Sequence, residues 1–158
     1  MMSDAASLVA FSPDHLDAAV RWPHRREDWQ MALALSIGCV AIAADARVIG
    51  TVLMTPYGNS AGTINMVIVD EAERGQGLGR RLMQQAMTLA GDRRLQLVAT
   101  EDGLPLYEKL GFRPTSEIVQ HQGQLAPAVA PSDAVRAAAP DDIAAIAALD
   151  AAAFGVAI

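Results

Sequence analysis

The sequence contains one cysteine, one lysine and few aromatic residues, and each shortage narrows what the chain can be. A lone thiol excludes an intramolecular disulfide framework. Cys39 stands in the apolar run Ser36-Ile37-Gly38-Cys39-Val40-Ala41-Ile42, an environment that keeps a thiol protonated and inert, so neither a thiolate ligand nor a nucleophile is expected. No metal ligand set is expected either. Phe, Trp and Tyr make up 4% of the 158 residues, so a core must be built from Leu, Ile, Val and Met, with alanine allowing close helix contacts; 15 of the last 33 residues are Ala. Long apolar runs are also missing. The longest stretch, Met31 to Ala44, is interrupted and too short to span a bilayer, and the N-terminus lacks a basic region followed by an apolar core. A cytoplasmic protein with no membrane partner is the expectation. Twelve basic residues against eighteen acidic ones give a net charge of −6, which argues against a nucleic-acid partner, because affinity for phosphate chains rests on clustered cations. Eleven of the twelve are arginine, so a local group can still hold a small anion.

What the chain has is apolar material: 52% of residues are hydrophobic and 19% charged. A chain of this size buries roughly 70% of its unfolded surface, enough for one complete domain. Ser7 to Phe11 reads as a strand, and Ser12-Pro13-Asp14 supplies a cap and a first-turn proline for a helix to about Val20. The polar, Trp-flanked segment Arg21 to Trp29 reads as a site-lining loop ahead of a helix from Trp29 to about Leu35. Strands follow over Cys39–Ala44, Val48–Met54 and Thr63–Val69, joined by turns at Asp45-Ala46 and around Pro56 to Gly62, the pattern of an antiparallel meander. Leu78 to Ala90 separates Arg80, Arg81, Gln84, Gln85 and Thr88 from Leu82, Met83, Ala86 and Leu89, as an amphipathic helix on a sheet does. Leu95–Ala99 reads as a strand, Leu104–Leu110 as a helix ended by Gly111, and Phe112–His121 as the last strand. Ala134 to Ala147 also aligns with Ser7 to Val20 at a constant offset: Val135 on Leu8, Pro140 on Pro13, Asp141 on Asp14, Ile143 on Leu16. This is an internal repeat of strand, cap and helix, with chance agreement between two Ala-rich stretches as the alternative.

Chemistry concentrates where the third meander strand runs into Arg74-Gly75-Gln76-Gly77-Leu78-Gly79-Arg80-Arg81. Glycine at alternate positions lets backbone approach a ligand or take positive φ. The first helical turn offers unpaired N–H donors and the positive end of the helix dipole. Together they form a cradle for a phosphate-bearing ligand. A Walker loop would need Lys and Ser/Thr after Gly79, where Arg80 and Arg81 stand. A dinucleotide fingerprint counted from Gly75 would need glycine where Arg80 is, and would open a βαβ unit instead of following a meander.

Arg74-Gly75-Gln76-Gly77-Leu78-Gly79 resembles the Arg/Gln-x-x-Gly-x-Gly/Ala signature of the GCN5-related N-acetyltransferase (GNAT) superfamily. Leu106-Tyr107-Glu108-Lys109-Leu110-Gly111-Phe112 resembles that superfamily's Leu-Tyr-x-x-x-Gly-Phe signature. The order and separation of the two agree, and the similarity covers about Leu8 to His121. The resemblance implies an α+β (α/β) fold, with a mixed, mostly antiparallel central sheet flanked by helices and splayed between its fourth and fifth strands to admit acetyl-CoA. The backbone of Met66, Val67, Ile68 and Val69 would pair with the pantetheine arm. The N–H groups of Arg74, Gly75, Gln76, Gly77, Leu78, Gly79 and Arg80 would hold the pyrophosphate, with charge added by Arg74, Arg80 or Arg81. It further implies direct transfer to a primary amine of a small molecule or peptide, with Tyr107 as general acid toward the departing thiolate; a phenol of ordinary pKa, about 10, is protonated at neutral pH. Residues 1–123 would then be one GNAT domain, 124–134 a linker and 135–158 the first strand and helix of a second copy, as in tandem members.

Two positions depart from the superfamily pattern. Where relatives place a basic Glu or His on the fourth strand, this chain has Asn65 and Thr63. The remaining candidates for general base are Glu101 and, in the Trp-flanked segment, His24, Glu27 or Asp28, with His24 equally a candidate for the acceptor site. Thr100 stands where many relatives carry Asn before the final helix; it is kept as a cofactor contact. Trp22, Arg25 and Trp29 are candidate walls of the acceptor pocket, and the acidic net charge favours a cationic amine. The rival reading is a non-catalytic, CoA-binding regulatory module, with a second copy of the chain as a further candidate partner in a homodimer.

Overall fold

Between Ile37 and Val69 the chain is rich in β-branched residues and almost free of charge. In the computed structural model, which describes residues 2–4, 24–119, 121, 123 and 135–154, it forms three consecutive antiparallel strands. These are β2 (Ile37–Ile42), β3 (Val48–Tyr57) and β4 (Ala61–Val69). Two short strands complete a five-stranded sheet in the order β1-β2-β3-β4-β5. β1 (Met2–Asp4) runs antiparallel to β2, and β5 (Arg94–Gln96) runs parallel to the start of β4. The expected meander is therefore present, somewhat longer than its sequence pattern. β3 continues through Pro56, which lies beyond the last β2 pair, Ile37 with Met54; on an edge left unpaired, a missing N–H costs no ladder bond.

Helices cover both faces. α1 (Arg26–Leu35) opens with Asp28 accepting from the Arg25 backbone N–H at 2.8 Å, and buries Trp29 against Leu53 and Ile68. α2 (Leu78–Ala90) turns Leu78, Leu82, Met83, Ala86 and Ala90 onto Cys39, Ala41, Val52, Met54 and Ile64. α3 (Leu104–Lys109) adds Tyr107 to that second cluster. Cys39 is buried, 2% exposed, in keeping with its apolar run.

One irregularity sets the phase of β4. Thr51 pairs with Ile68 and Leu53 with Asn65, so Val52 faces both Met66 and Val67. This is a β-bulge, and Met66 adopts φ of +50° to make it. In a regular strand Ile64 and Ile68 would share a face. Here Ile64 packs under α2 and Ile68 under α1, so the bulge inverts the alternation midway along the strand.

Three expectations change. The segment expected as strand over Leu95–Ala99 keeps its ladder only over Arg94–Gln96, because the chain then diverges from β4. Phe112–His121, expected as the last strand, has no strand over its described residues 112–119. Pro114 removes a donor, and Ile118 and Val119 lie exposed, with no ladder to join. In the Trp-flanked segment the described residues His24 and Arg25 are loop, and from Arg26 the chain is helix. The strand expected at Ser7–Phe11, the helix after it and Trp22 lie outside the described residues.

The chain divides into two compact units, Met1–Arg113 and Pro114–Ile158. In the second, Pro140–Asp142 forms a single 3₁₀ turn leading into α4 (Ile143–Phe154). Asp142 receives the Ala139 N–H at 2.8 Å and pairs with Arg136 at 2.6 Å, which lowers its pKa. Ile143, Ile146 and Leu149 of α4 are exposed. Among the described residues no helix is long and apolar enough to cross a membrane.

Candidate active site

β4 and β5 pair only from Ala61–Arg94 to Thr63–Gln96. Beyond that no strand among the described residues pairs with this edge of β4, and the chain returns through a turn in which the Thr100 carbonyl accepts from Gly103 and Leu104 at 3.0 Å each. This divergence opens a cavity of about 1000 Å³, at the upper end of the roughly 300–1,000 Å³ typical of small-molecule sites. Its walls include Val67, Ile68, Val69, Arg74, Gly75, Gly77, Leu78, Gly79, Arg80, Thr100 and Tyr107. A second cavity of about 60 Å³ is lined by Ile64, Asn65, Met66, Val67, Leu97, Val98, Thr100 and Tyr107. Val67, Thr100 and Tyr107 line both.

The loop supplies donors. Arg74 N–H bonds to Glu71 O and Arg81 N–H to Gly77 O, while among the described residues no backbone carbonyl takes the N–H groups from Gly75 to Arg80. Gly75 and Gly77 have φ of +76° and +78°, the left-handed region that L side chains avoid. Gly79 is there for closeness: a Cβ on it would lie 3.3 Å from Leu106 Cδ2 and 3.7 Å from Val69 Cγ2. The loop is anchored from behind. Asp70 accepts from Ala72 N–H at 3.0 Å, Arg47 pairs with Asp70 at 2.9 Å, and Arg74 Nε donates to Val69 O at 3.2 Å. Arg74, Arg80 and Lys109 bring positive charge to the large cavity, and Glu73 and Asp102 line it too.

Tyr107 sits where the two cavities meet. It is 8% exposed, its ring edge-on to Phe112 at 6.2 Å, and burial raises its pKa above the ordinary value. The phenol is therefore held as a proton donor at neutral pH. Gly103 gives the ring its place, since a Cβ there would stand 2.9 Å from Tyr107 Cε2.

Residues 36–114 match the model of the acetyltransferase (GNAT) domain. The chain belongs to the GNAT family. Its segment is 40% identical over 57 residues to the uncharacterized N-acetyltransferase YitH of Bacillus subtilis strain 168, covering 35% of this chain and 20% of that protein. It is 40% identical over 62 residues to the glucosamine 6-phosphate N-acetyltransferase of Trypanosoma brucei brucei, covering 37% and 42%. The matches thus span a fifth and about two fifths of these curated relatives' lengths. Among solved structures, a GNAT family acetyltransferase of Elizabethkingia anophelis with acetyl-CoA bound superposes with a TM-score of 0.61 at 21% identity, over 73% of this chain and 77% of that one. The GNAT fold expected from the two signatures, a mixed sheet flanked by helices, is the fold of this protein.

The site residues expected for a GNAT domain separate into two groups. Ten of the twelve cofactor positions line the large cavity; Met66 lines the small one, and Gln76 is exposed, its amide 3.4 Å from Glu73. The base and acceptor candidates lie elsewhere. Glu101 is exposed in the turn before α3 and lines neither cavity. His24 is half-buried, edge-on to Trp29 at 6.3 Å, and Arg25 is held by Asp28 at 2.9 Å at the start of α1. Trp29 is 2% exposed, packed in the core under α1, and lines neither cavity. Its neighbours Leu53 and Ile68 come from distant strands and outweigh its polar sequence context. Lys109, Asp102, Gly103 and Leu106 line the cavity without having been singled out beyond the signature. All four lie within eight residues of Glu101, so the signal was the helix itself: Leu106 and Lys109 are three apart and share a face.

Proposed function

We propose that this GNAT domain transfers the acetyl group of acetyl-CoA directly to a primary amine of a small molecule or peptide, in a ternary complex. The observation that carries the reading is the pair of cavities meeting at Tyr107, one ending on the N–H groups from Gly75 to Arg80 that no backbone carbonyl among the described residues takes, and the other facing the bulged part of β4. The loop and its cations suit a pyrophosphate, and the uncovered edge of β4 suits the amide-bearing arm of CoA, as an unpaired strand edge suits any extended amide chain. At the junction the neutral amine, its ammonium proton already given to water, attacks the thioester carbonyl: the C–N bond forms, the C–S bond breaks, Tyr107 gives its proton to the leaving sulfur, and the proton shed by the nitrogen passes to water. No acyl-enzyme is invoked, since Cys39 is buried in the sheet. The acidic chain favours a cationic acceptor, and the name of the trypanosomal relative makes an amino-sugar phosphate one compound to try.

A second reading has an observation of its own. The small cavity, among the described residues, is lined by neutral side chains with Tyr107 its sole titratable group, which suits a regulatory module that binds CoA without transferring acetyl. Calorimetry with acetyl-CoA and CoA, followed by thiol release over glucosamine 6-phosphate, spermidine and a lysine peptide, decides. Binding with amine-dependent thiol release supports the transferase. Binding alone supports the module, and no binding removes both.

A further inference from the structure

On the α1 face of the sheet a short polar chain crosses otherwise apolar surroundings. Ser36 Oγ and Thr55 Oγ1 are 2.7 Å apart, and Asn65 Nδ2 donates to Thr55 Oγ1 at 2.8 Å. The other end of the amide, Asn65 Oδ1, is buried and has no hydrogen-bond partner. A buried carbonyl oxygen left without a donor is costly, so the site favours whatever group can supply one. Asn65 lines the small cavity together with Tyr107, directly before the bulge at Met66 and Val67.

We propose that Asn65 Oδ1 is the hydrogen-bond acceptor for the acceptor amine, taking one N–H of the attacking nitrogen and so aiming its lone pair toward the junction at Tyr107. The role rests on the transferase reading above. Asn65 stays neutral and moves no proton; it orients the nucleophile through an oxygen that the Ser36–Thr55 pair holds in place. It also selects for acceptors: a primary amine keeps one N–H on Oδ1 while the other is lost on transfer, whereas a secondary amine must give up the single hydrogen that would make this bond. A primary amine is therefore preferred to its N-methyl counterpart.

The test uses the whole chain, acetyl-CoA and whichever amine of the panel reacts fastest. Asn65→Ala is expected to lower kcat/KM for that amine by about tenfold to a hundredfold with the acetyl-CoA Kd within twofold of wild type. Asn65→Asp keeps an oxygen at the same position and is expected to recover most of the loss above pH 6. Thr55→Val, which frees the amide, is expected to show a smaller loss in the same parameter and serves if the Ala variant does not fold. Wild-type kcat/KM in Asn65→Ala overturns the proposal. So does a parallel loss of acetyl-CoA affinity, or a failure of Asn65→Asp to recover activity. A wild-type chain that binds acetyl-CoA and acetylates no amine overturns the transferase reading, and this role with it.

Discussion

Tyr107 and Asp28 show how environment assigns different tasks to two ionisable groups. Burial pushes the Tyr107 phenol up, so removing its hydroxyl should affect departure of the thiolate and little else. Tyr107→Phe is expected to lower kcat by about a hundredfold or more with the acetyl-CoA Kd unchanged, read from steady-state kinetics and calorimetry; an unchanged kcat would remove the residue from the mechanism. Asp28 is displaced in the opposite direction: the hydrogen bond from the Arg25 guanidinium, and then that from its backbone N–H, hold the carboxyl at about 2. Its folded pKa is below the unfolded one, so its stabilisation is complete above the unfolded value of about 4 and is lost as pH falls through about 2. The start of α1 should loosen in that window. A pH titration of unfolding in which Asp28→Asn keeps the same acid limb between pH 4 and pH 2 would contradict this.

At the scale of elements, α1 and the loop after β4 differ in how far local pattern revealed them. The loop was legible because its requirements are local: positive φ at Gly75 and Gly77 and a close approach at Gly79 need glycine whatever surrounds them. The helix from Leu78 to Ala90 was equally legible, since one stripe of Leu, Met and Ala suffices to place it. α1 was misread at its start because Arg26, Glu27 and Asp28 are polar, and only Leu53 and Ile68, far away in sequence, explain why Trp29 points inward. Trp29→Ala should therefore destabilise the fold by about 3–5 kcal/mol in denaturant unfolding, whereas a wall of the acceptor pocket would show a raised amine KM at full stability. The loop's rear anchor makes a companion case. Arg47, from the β2–β3 turn, holds Asp70 at 2.9 Å and approaches Glu73 at 3.9 Å; Arg47→Ala is expected to weaken CoA binding severalfold while leaving the affinity for pantetheine, which lacks the phosphates, unchanged.

For the molecule as a whole, the cavity and its catalytic candidates come from the first unit alone, every wall lying between Ile64 and Lys109. A chain ended after Gly123 should bind acetyl-CoA with the Kd of the full chain; a tenfold weakening would mean that the Ala-rich segment contributes to the site. Where the sequence repeat would place a strand and then a capped helix, residues 135–139 form no strand, and the helix is present as the Pro140 turn and α4. The last strand was not legible for a general reason. A strand exists only through its partner, and the β-branched residues after Phe112 announce a propensity without saying whether an edge is free to receive them.

The bulge at Met66 also bears on how the chain tolerates length change. Because β4 presents one phase before Met66 and the opposite phase after it, the strand is keyed to β3 as a notched rod is keyed to its slot. Sliding it by one residue in either direction would bring a half-strand out of phase on both faces at once. One residue added or removed between Ile64 and Val67 should therefore be lethal to the fold, whereas the same change in the exposed turn at Gly58-Asn59-Ser60 would leave the spacing between the Gly75–Gly79 loop and Tyr107 intact.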